Sequence, residues 1–188
     1  MPRALTTEEV QRLEAHCAEA KRAPLRLLAM VRLALDLGLR VGEIAKLEIG
    51  DFDWRAGTVT LKRTKSQRQD VLPLPVLTGQ ALAEYMRHER PATTLPSLFV
   101  RRLAPHDKPI GVDAVSQAIG RALRGAGISR GCHSLRHTLA CRLVNSGSSI
   151  KEVADVLRHR SLDTSLIYAK LDLQLLAEVA LPWPGSAS

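Results

Sequence analysis

The sequence predicts a mainly α-helical fold with a small antiparallel β-sheet or hairpin, that is, an α+β domain. Apolar residues recur at helical spacing through most of the chain. Two short runs that are typical of β-strands flank a polar turn, which is the pattern of a hairpin. The 188 residues contain no internal repeat and no low-complexity linker, and this length is typical of one domain.

The N-terminal part of the chain carries three predicted helices. Thr6, followed by two glutamates, is an N-cap with an acidic first turn. Pro24 stands at a favourable first helical position, and Gly38 breaks the apolar stripe that follows it. The three helices are expected from about Thr7 to Cys17, from Pro24 to Leu37 and over Val41–Leu47.

A basic hairpin is predicted next. The segments GTVTLKR and RQDVLPLP have the composition of strands, and the polar letters TKSQ separate them. Pro73 and Pro75 end the second strand or keep it at the edge of the sheet, because proline cannot donate a ladder hydrogen bond. The later segment SLFVRR is a further candidate for a short strand.

The C-terminal half is predicted to be helical, with polar loops such as PATTLPS and SGSS between the helices. The expected helices cover Thr78–Arg90, Val112–Gly125, His133–Asn145, Ile150–Leu157 and Thr164–Tyr168, and an amphipathic stretch covers Leu171–Leu181.

Composition and charge restrict the class of protein. The 27 Lys and Arg against 19 Asp and Glu give a net charge of +8, which favours a polyanionic partner. Charges interrupt every apolar run before it reaches the roughly 20 residues of a membrane span, and the N-terminus lacks the apolar core of a signal peptide. Three scattered cysteines suit a reducing cytosol better than a disulfide framework. We expect a soluble cytoplasmic protein with no membrane partner.

Four short segments hold polar residues that a plain helical domain does not need. Each has an ordinary explanation by itself: an ion pair on a solvated helix, a solubilising turn or a packed tyrosine. The segments carry Arg40 with Glu43, Lys65 with Lys62, Arg63 and Arg68, His133 with Arg136, and His159 with Tyr168.

Together, these side chains suit metal-free attack on a phosphodiester. Guanidinium groups match the non-bridging oxygens of a phosphate and stabilise the charge of a five-coordinate transition state. A tyrosine hydroxyl becomes a nucleophile when cationic neighbours and a base lower the cost of its ionisation. Histidines exchange that proton near neutral pH, and a lysine can protonate the departing sugar oxygen.

The same segments, in this order, resemble the motif boxes of the tyrosine recombinases, the phage-type integrases. LGLRVGE is similar to the first arginine box, HSLRH to the H-x-x-R box, and LRHRSLDTSLIY to the segment that ends in the tyrosine. Lys65 falls on the hairpin lysine when DVLPLP is set against the family's second strand. The boxes span Arg40 to Tyr168, and the overall similarity extends from about Leu5 to Leu181.

The resemblance implies a tyrosine recombinase catalytic-domain fold. It also implies a site-specific recombinase or integrase that cleaves and rejoins DNA through a 3′-phosphotyrosyl intermediate, without metal, ATP or another cofactor. The arginines would clamp the scissile phosphate, the histidines would assist proton transfer, the lysine would protonate the 5′ oxygen and the tyrosine would form the covalent bond. The implied catalytic residues are Arg40, Lys65, His133, Arg136, His159 and Tyr168, with Glu43 supporting the Arg40 helix, and the candidate DNA contacts are Lys62, Arg63, Arg68 and Arg158.

The resemblance further implies double-stranded DNA as the partner, self-association on DNA as a tetrameric synapse, and a location in the bacterial cytosol at the nucleoid. We expect residues 1–181 to form a single catalytic domain, with 182–188 as a short tail and without an N-terminal core-binding domain. Leu173, Leu176 and Trp183 would dock onto a neighbouring protomer or fold back onto their own.

This chain departs from the family pattern at a few positions. Arg158 stands where the family has a glycine before the second histidine, Cys132 stands where proline is usual, and Lys170 where histidine is frequent. The hairpin lacks the usual glycine, so Lys62 stays a rival to Lys65.

Three other interpretations remain open. The first is a DNA-binding module without catalysis, and the second is DNA relaxation by a type IB topoisomerase, which uses a similar residue set. The third is a zinc site formed by His133, His137 and Cys141. Three ligands along two turns of one helix cannot easily surround a tetrahedral ion, so we expect His137 and Cys141 to pack inward and no metal to bind.

Overall fold

The computed structural model describes residues 4–62, 69–101 and 108–158. Its elements are α1 (Thr7–Ala18), α2 (Pro24–Asp36), α3 (Val41–Ile44), a 3-10 turn (Ile49–Asp51), β1 (Phe52–Asp53), β2 (Thr58–Lys62), β3 (Gln69–Pro73), α4 (Val76–His88), α5 (Val112–Gly125), α6 (His133–Asn145) and α7 (Ile150–Val156). The chain divides into two compact units, one ending at Leu139 and one beginning at Ala140. The predicted TKSQ turn and the predicted helices over Thr164–Tyr168 and Leu171–Leu181 lie outside the described residues.

Helix α2 is the centre of the first unit's core and packs against α1, α3, α4 and α5. Its apolar stripe is wide, and Met30, Leu33 and Leu35 have no exposed surface. Its charged Arg32 pairs with Glu14 of α1 at 3.0 Å. A helix that is apolar on most sides is stable only when neighbours cover it, which places α2 in the interior.

The predicted helix starts are confirmed at the first two helices. Thr6 and Glu9 form a reciprocal capping box, in which each side chain accepts the other's backbone N–H, at 3.2 and 2.8 Å. Pro24 is the first residue of α2, and the Leu25 N–H donates to the carboxylate of Glu89 at 2.8 Å. The cap of α2 therefore comes from Glu89, the residue that follows α4 and lies far away in sequence.

The sheet is antiparallel, with the strand order β1-β2-β3. Strand β2 is paired with β3 over five residues, from Thr58 opposite Pro73 to Lys62 opposite Gln69. Strand β3 lies at an edge, as its proline predicted. The mainly helical fold class with a small antiparallel sheet is thus confirmed, and β1 is an additional two-residue strand that is too short to produce a period in the sequence.

Several predicted boundaries are wrong. Residues 97–101, the described part of SLFVRR, do not form a strand. Ser97 makes a single bridge to Glu48, after which that partner chain turns into the 3-10 segment, and Val100 makes a single bridge to Pro109. Helix α3 ends at Ile44 and not at the predicted Leu47. The carbonyl of Leu47 instead accepts the Leu98 N–H at 2.8 Å. Helix α4 begins two residues earlier than predicted and ends at His88.

The second unit contains α7, which begins with a side-chain cap. Ser149 and Glu152 form a capping box, with the Ser149 N–H 2.7 Å from the Glu152 carboxylate. Val153, Ala154 and Leu157 are buried, so one face of α7 contributes to the interior of this unit.

Candidate active site

The first part of the site is the turn between α2 and α3. Gly38 has a φ of 59°, a left-handed conformation that glycine adopts without strain. Across this turn, the Leu39 N–H donates to the Leu33 carbonyl at 3.2 Å, and the Leu39 side chain is buried. The next residue, Arg40, therefore emerges at the surface immediately after a firmly held turn.

Arg40 and Glu43 form the predicted pair at the start of α3. One carboxylate oxygen of Glu43 accepts the Arg40 backbone N–H at 2.8 Å, and the other accepts the Arg40 Nη1–H at 3.1 Å. Glu43 thus caps α3 and orients the guanidinium with the same group. The Arg40 side chain is 42% exposed, which leaves it accessible to a ligand at the surface.

Arg136 brings the second arginine to the same turn. Its side chain is buried, and its Nη1–H donates to the backbone carbonyl oxygen of Gly38. Gly38 lies two residues before Arg40, so the guanidinium of α6 supports the turn from which Arg40 emerges. The two predicted phosphate-binding arginines are therefore held on one local structure.

His133 is exposed and is the first residue of α6, three positions before Arg136. The helix start is well anchored near it. The Ser134 hydroxyl donates to the Gly131 carbonyl at 2.8 Å, and Thr138 Oγ1 accepts the Leu5 N–H at 2.8 Å while donating to the Ser134 carbonyl at 2.7 Å. Thr138 is not predictable from the sequence, since a contact with Leu5 across 133 positions leaves no local pattern.

Lys62 is the last residue of β2, and its ammonium group is paired with two carboxylates. Its Nζ lies 2.8 Å from Glu48 Oε2 and 2.9 Å from Asp51 Oδ1. Hydrogen bonding to Glu48, and then to Asp51, raises the pKa of Lys62. Neither carboxylate was singled out in the sequence, although both lie in the LEIGDFDW segment that follows α3.

Several predicted site residues fall outside the described ranges. They are Arg63, Lys65 and Arg68 of the hairpin, and His159 and Tyr168 of the last motif. Their assignments stay predictions.

The other tyrosine of the chain is described, and it is not available to a ligand. Tyr85 has no exposed surface and packs on Phe99, with a ring-centre distance of 5.2 Å. Burial raises its pKa, which further disfavours the phenolate. Since the chain has two tyrosines, Tyr168 is the one that remains as a candidate nucleophile.

The phage integrase family model matches residues 3–174. The chain belongs to the phage integrase family. It is 37% identical over 190 residues to the putative integrase/recombinase y4rA of Sinorhizobium fredii, covering all of this chain and 46% of that protein. It is 29% identical to the tyrosine recombinase XerA of Pyrococcus furiosus, covering 95% of this chain and 60% of that protein. It spans about half the length of these curated relatives.

The fold comparison agrees with the family assignment. The crystal structure of the XerH site-specific recombinase, bound to a palindromic difH substrate in a post-cleavage complex, matches with a TM-score of 0.79 and 25% identity. The match covers 97% of this chain and 54% of that one. The predicted resemblance to tyrosine recombinases and the predicted catalytic-domain fold are confirmed.

In this chain, Arg158 adopts the backbone conformation that glycine would supply. Its φ is 54°, its side chain is buried within the second unit, and its N–H donates to the Asp155 carbonyl at 3.0 Å. The left-handed turn is therefore kept although the family glycine is absent. The assignment of Arg158 as a DNA contact stays a prediction.

Of the residues in the zinc hypothesis, His137 and Cys141 are buried, whereas His133 is exposed. Burial lowers the pKa of His137 and raises the pKa of Cys141. Across residues 4–62, 69–101 and 108–158, no three His, Cys, Asp or Glu side chains are grouped so that they could hold a metal ion. Within the same ranges, no helix has the length and apolar character needed to cross a membrane.

Proposed function

We propose that this phage integrase chain is the catalytic domain of a tyrosine-type site-specific recombinase, which cleaves and rejoins double-stranded DNA through a 3′-phosphotyrosyl intermediate. The observation that carries the proposal is the hydrogen bond from Arg136 to Gly38. It supports the turn of Arg40 with the second arginine, so two guanidinium groups are organised at one place for a single phosphate.

The proposed cleavage step is balanced within the DNA and the protein. The Tyr168 hydroxyl loses its proton to a histidine, His133 or His159, and its oxygen forms a bond to phosphorus. The bond from phosphorus to the 5′ oxygen breaks, and Lys65 donates a proton to that oxygen. The arginines stabilise the charge that develops on the non-bridging oxygens. The new phosphotyrosine ester retains the bond energy, so rejoining needs neither ATP nor metal.

The proposal includes the partners and organisation expected from the sequence. Residues 1–181 act as one catalytic domain, which binds double-stranded DNA in the bacterial cytosol and assembles on it as a tetrameric synapse. The net charge of +8 supports DNA as the partner, since each neutralised phosphate releases counterions. Leu173, Leu176 and Trp183 are the proposed contacts with the neighbouring protomer.

Covalent trapping tests the proposal directly. The chain is incubated in EDTA with DNA fragments from both flanks of its own gene, and the reaction is stopped with SDS. Tyr168→Phe is compared with Tyr85→Phe, a matched control because it removes the same hydroxyl from the buried tyrosine. We expect an SDS-stable adduct from the wild type and from Tyr85→Phe, and none from Tyr168→Phe.

Each other outcome contradicts part of the proposal. An adduct that survives Tyr168→Phe rules out this nucleophile. DNA binding without an adduct on any flank fragment favours the non-catalytic module. An adduct that forms equally on scrambled DNA, with relaxation of supercoils, favours topoisomerase chemistry over site-specific recombination.

A further inference from the structure

Lys62 belongs to a three-residue charge cluster that the proposed mechanism does not use. Its Nζ contacts Glu48 Oε2 at 2.8 Å and Asp51 Oδ1 at 2.9 Å. The Asp51 side chain is 5% exposed, whereas Lys62 is 58% exposed. The lysine therefore reaches from the surface to a carboxylate that is almost completely removed from water.

The two carboxylate residues are also hydrogen-bonded to each other through their backbone. Asp51 Oδ2 accepts the Glu48 N–H at 2.8 Å, and the Asp51 N–H donates to the Glu48 carbonyl at 3.1 Å. This reciprocal pair closes the 3-10 turn. A buried carboxylate is costly without a counter-charge, and the ammonium group of Lys62 supplies this counter-charge to Asp51.

The cluster joins the 3-10 turn that follows α3 to the end of β2. The 3-10 turn begins five residues after Ile44, the end of the helix that Glu43 caps beside Arg40. Lys62, opposite Gln69, is the last ladder pair before the chain leaves β2. Lys65 follows three residues later in sequence. Lys62 is therefore the last described residue before the segment that carries Lys65.

We propose that Lys62 is a positioning residue that anchors the end of β2 to the turn after α3 and so places the Lys65 segment, and that it is not itself the proton donor. The inference rests on the proposed function, in which Lys65 protonates the 5′ oxygen. The raised pKa of Lys62 agrees with it, because a more tightly held proton makes a weaker general acid at neutral pH.

The test compares Lys62→Gln, Lys62→Arg, Lys65→Gln and the double variant Lys62→Gln/Lys65→Gln. The matched control is Lys46→Gln, which removes an exposed lysine from the same region. Adduct formation is measured on ordinary DNA and on DNA with sulfur in place of the 5′ bridging oxygen at the scissile phosphate. A thiolate leaves without a proton, so sulfur bypasses any defect in proton donation.

We expect Lys62→Gln to slow cleavage of ordinary DNA by roughly tenfold, the scale of a modest misplacement of a catalytic group. The sulfur substrate should remove most of this defect, and Lys62→Arg should restore the rate. The double variant should be no slower than Lys65→Gln alone. Lys46→Gln should match the wild type on both substrates.

Hydrogen exchange supplies a readout that does not depend on activity. In Lys62→Gln, the backbone amides at the end of β2 should exchange faster than in the wild type and in Lys46→Gln. Unchanged exchange would overturn the anchoring role. The positioning role is overturned if Lys62→Gln cleaves ordinary DNA at the wild-type rate, or if Lys65→Gln does. It is also overturned if Lys62→Gln is slowed equally on both substrates, which would indicate a DNA contact. Absence of a wild-type adduct on both substrates instead overturns the proposed function itself.

Discussion

The guanidinium of Arg136 donates a hydrogen bond to the carbonyl oxygen of Gly38, 98 positions away in sequence. One end of this contact lies in the H-x-x-R motif of α6, and the other lies two residues before the arginine of the first motif. The contact makes the position of Arg40 depend on Arg136. A change at either end should therefore affect both the stability of the turn and the binding of phosphate.

Replacing Arg136 should damage folding and cleavage together. Arg136→Lys cannot reproduce the planar fork of donors, so the Gly38 carbonyl loses its partner. We expect the free energy of unfolding to fall by about 1.5–3 kcal/mol, the scale for a hydrogen bond to a charged group, and adduct formation to fall by roughly 100-fold. Denaturant unfolding and covalent trapping measure the two effects. Arg142→Lys, at an exposed position of the same helix, should change neither the free energy of unfolding nor adduct formation. Wild-type values of both in Arg136→Lys would refute the support role.

Gly38 and Gly42 provide a matched pair of glycine substitutions. Gly38→Ala places a Cβ at a φ of 59°, which is expected to cost about 1–2 kcal/mol of unfolding free energy. At Gly42, an added Cβ meets no atom within 4 Å, and alanine there favours the short α3 helix. Thermal unfolding should show a lower midpoint for Gly38→Ala alone. Equal midpoints for the two variants would contradict the proposed strain.

Two substitutions separate the two roles of Glu43. Glu43→Gln keeps an oxygen that can accept the Arg40 N–H, whereas Glu43→Ala loses both the cap and the ion pair. We expect Glu43→Ala to lower the free energy of unfolding by about 1 kcal/mol, and Glu43→Gln to lower it less. Both should reduce adduct formation, because both release the Arg40 guanidinium. If Glu43→Ala and Glu43→Gln have the same free energy of unfolding in denaturant, the cap contributes little to stability.

Stability should depend on pH through His137. Burial lowers the pKa of His137 in the folded protein, so the unfolded chain binds a proton more readily. The stabilising effect is complete above the unfolded pKa of about 6.5 and is lost as the pH falls towards the folded value. The free energy of unfolding should thus decrease between pH 7 and pH 5.5. His137→Gln should flatten this slope, and a slope unaffected by His137→Gln would refute the assignment.

Capping and spacing rules predicted the helix starts that are stabilised by neighbouring residues in the sequence. Thr6 and Glu9 cap α1 as the sequence indicated, and Pro24 begins α2. The Arg40–Glu43 pair also follows from spacing, since residues three apart share a helix face. The boundaries of α3 and the SLFVRR segment were wrong because distant chain contacts, such as the Leu98 N–H on the Leu47 carbonyl, decide them.

The sequence by itself determined the family, the order of the motif boxes and most of the helices, because these depend on residue type and on spacing along one stretch of chain. Tertiary structure alone decided that Arg136 supports the Gly38 turn, that Lys62 is paired with Glu48 and Asp51, and that Tyr85 is sealed in the core. These contacts join distant segments, and their strength comes from the removal of aromatic surface from water and from the pairing of charged groups that would be costly to bury unpaired. That removal occurs only when the chain packs, so no local pattern records it.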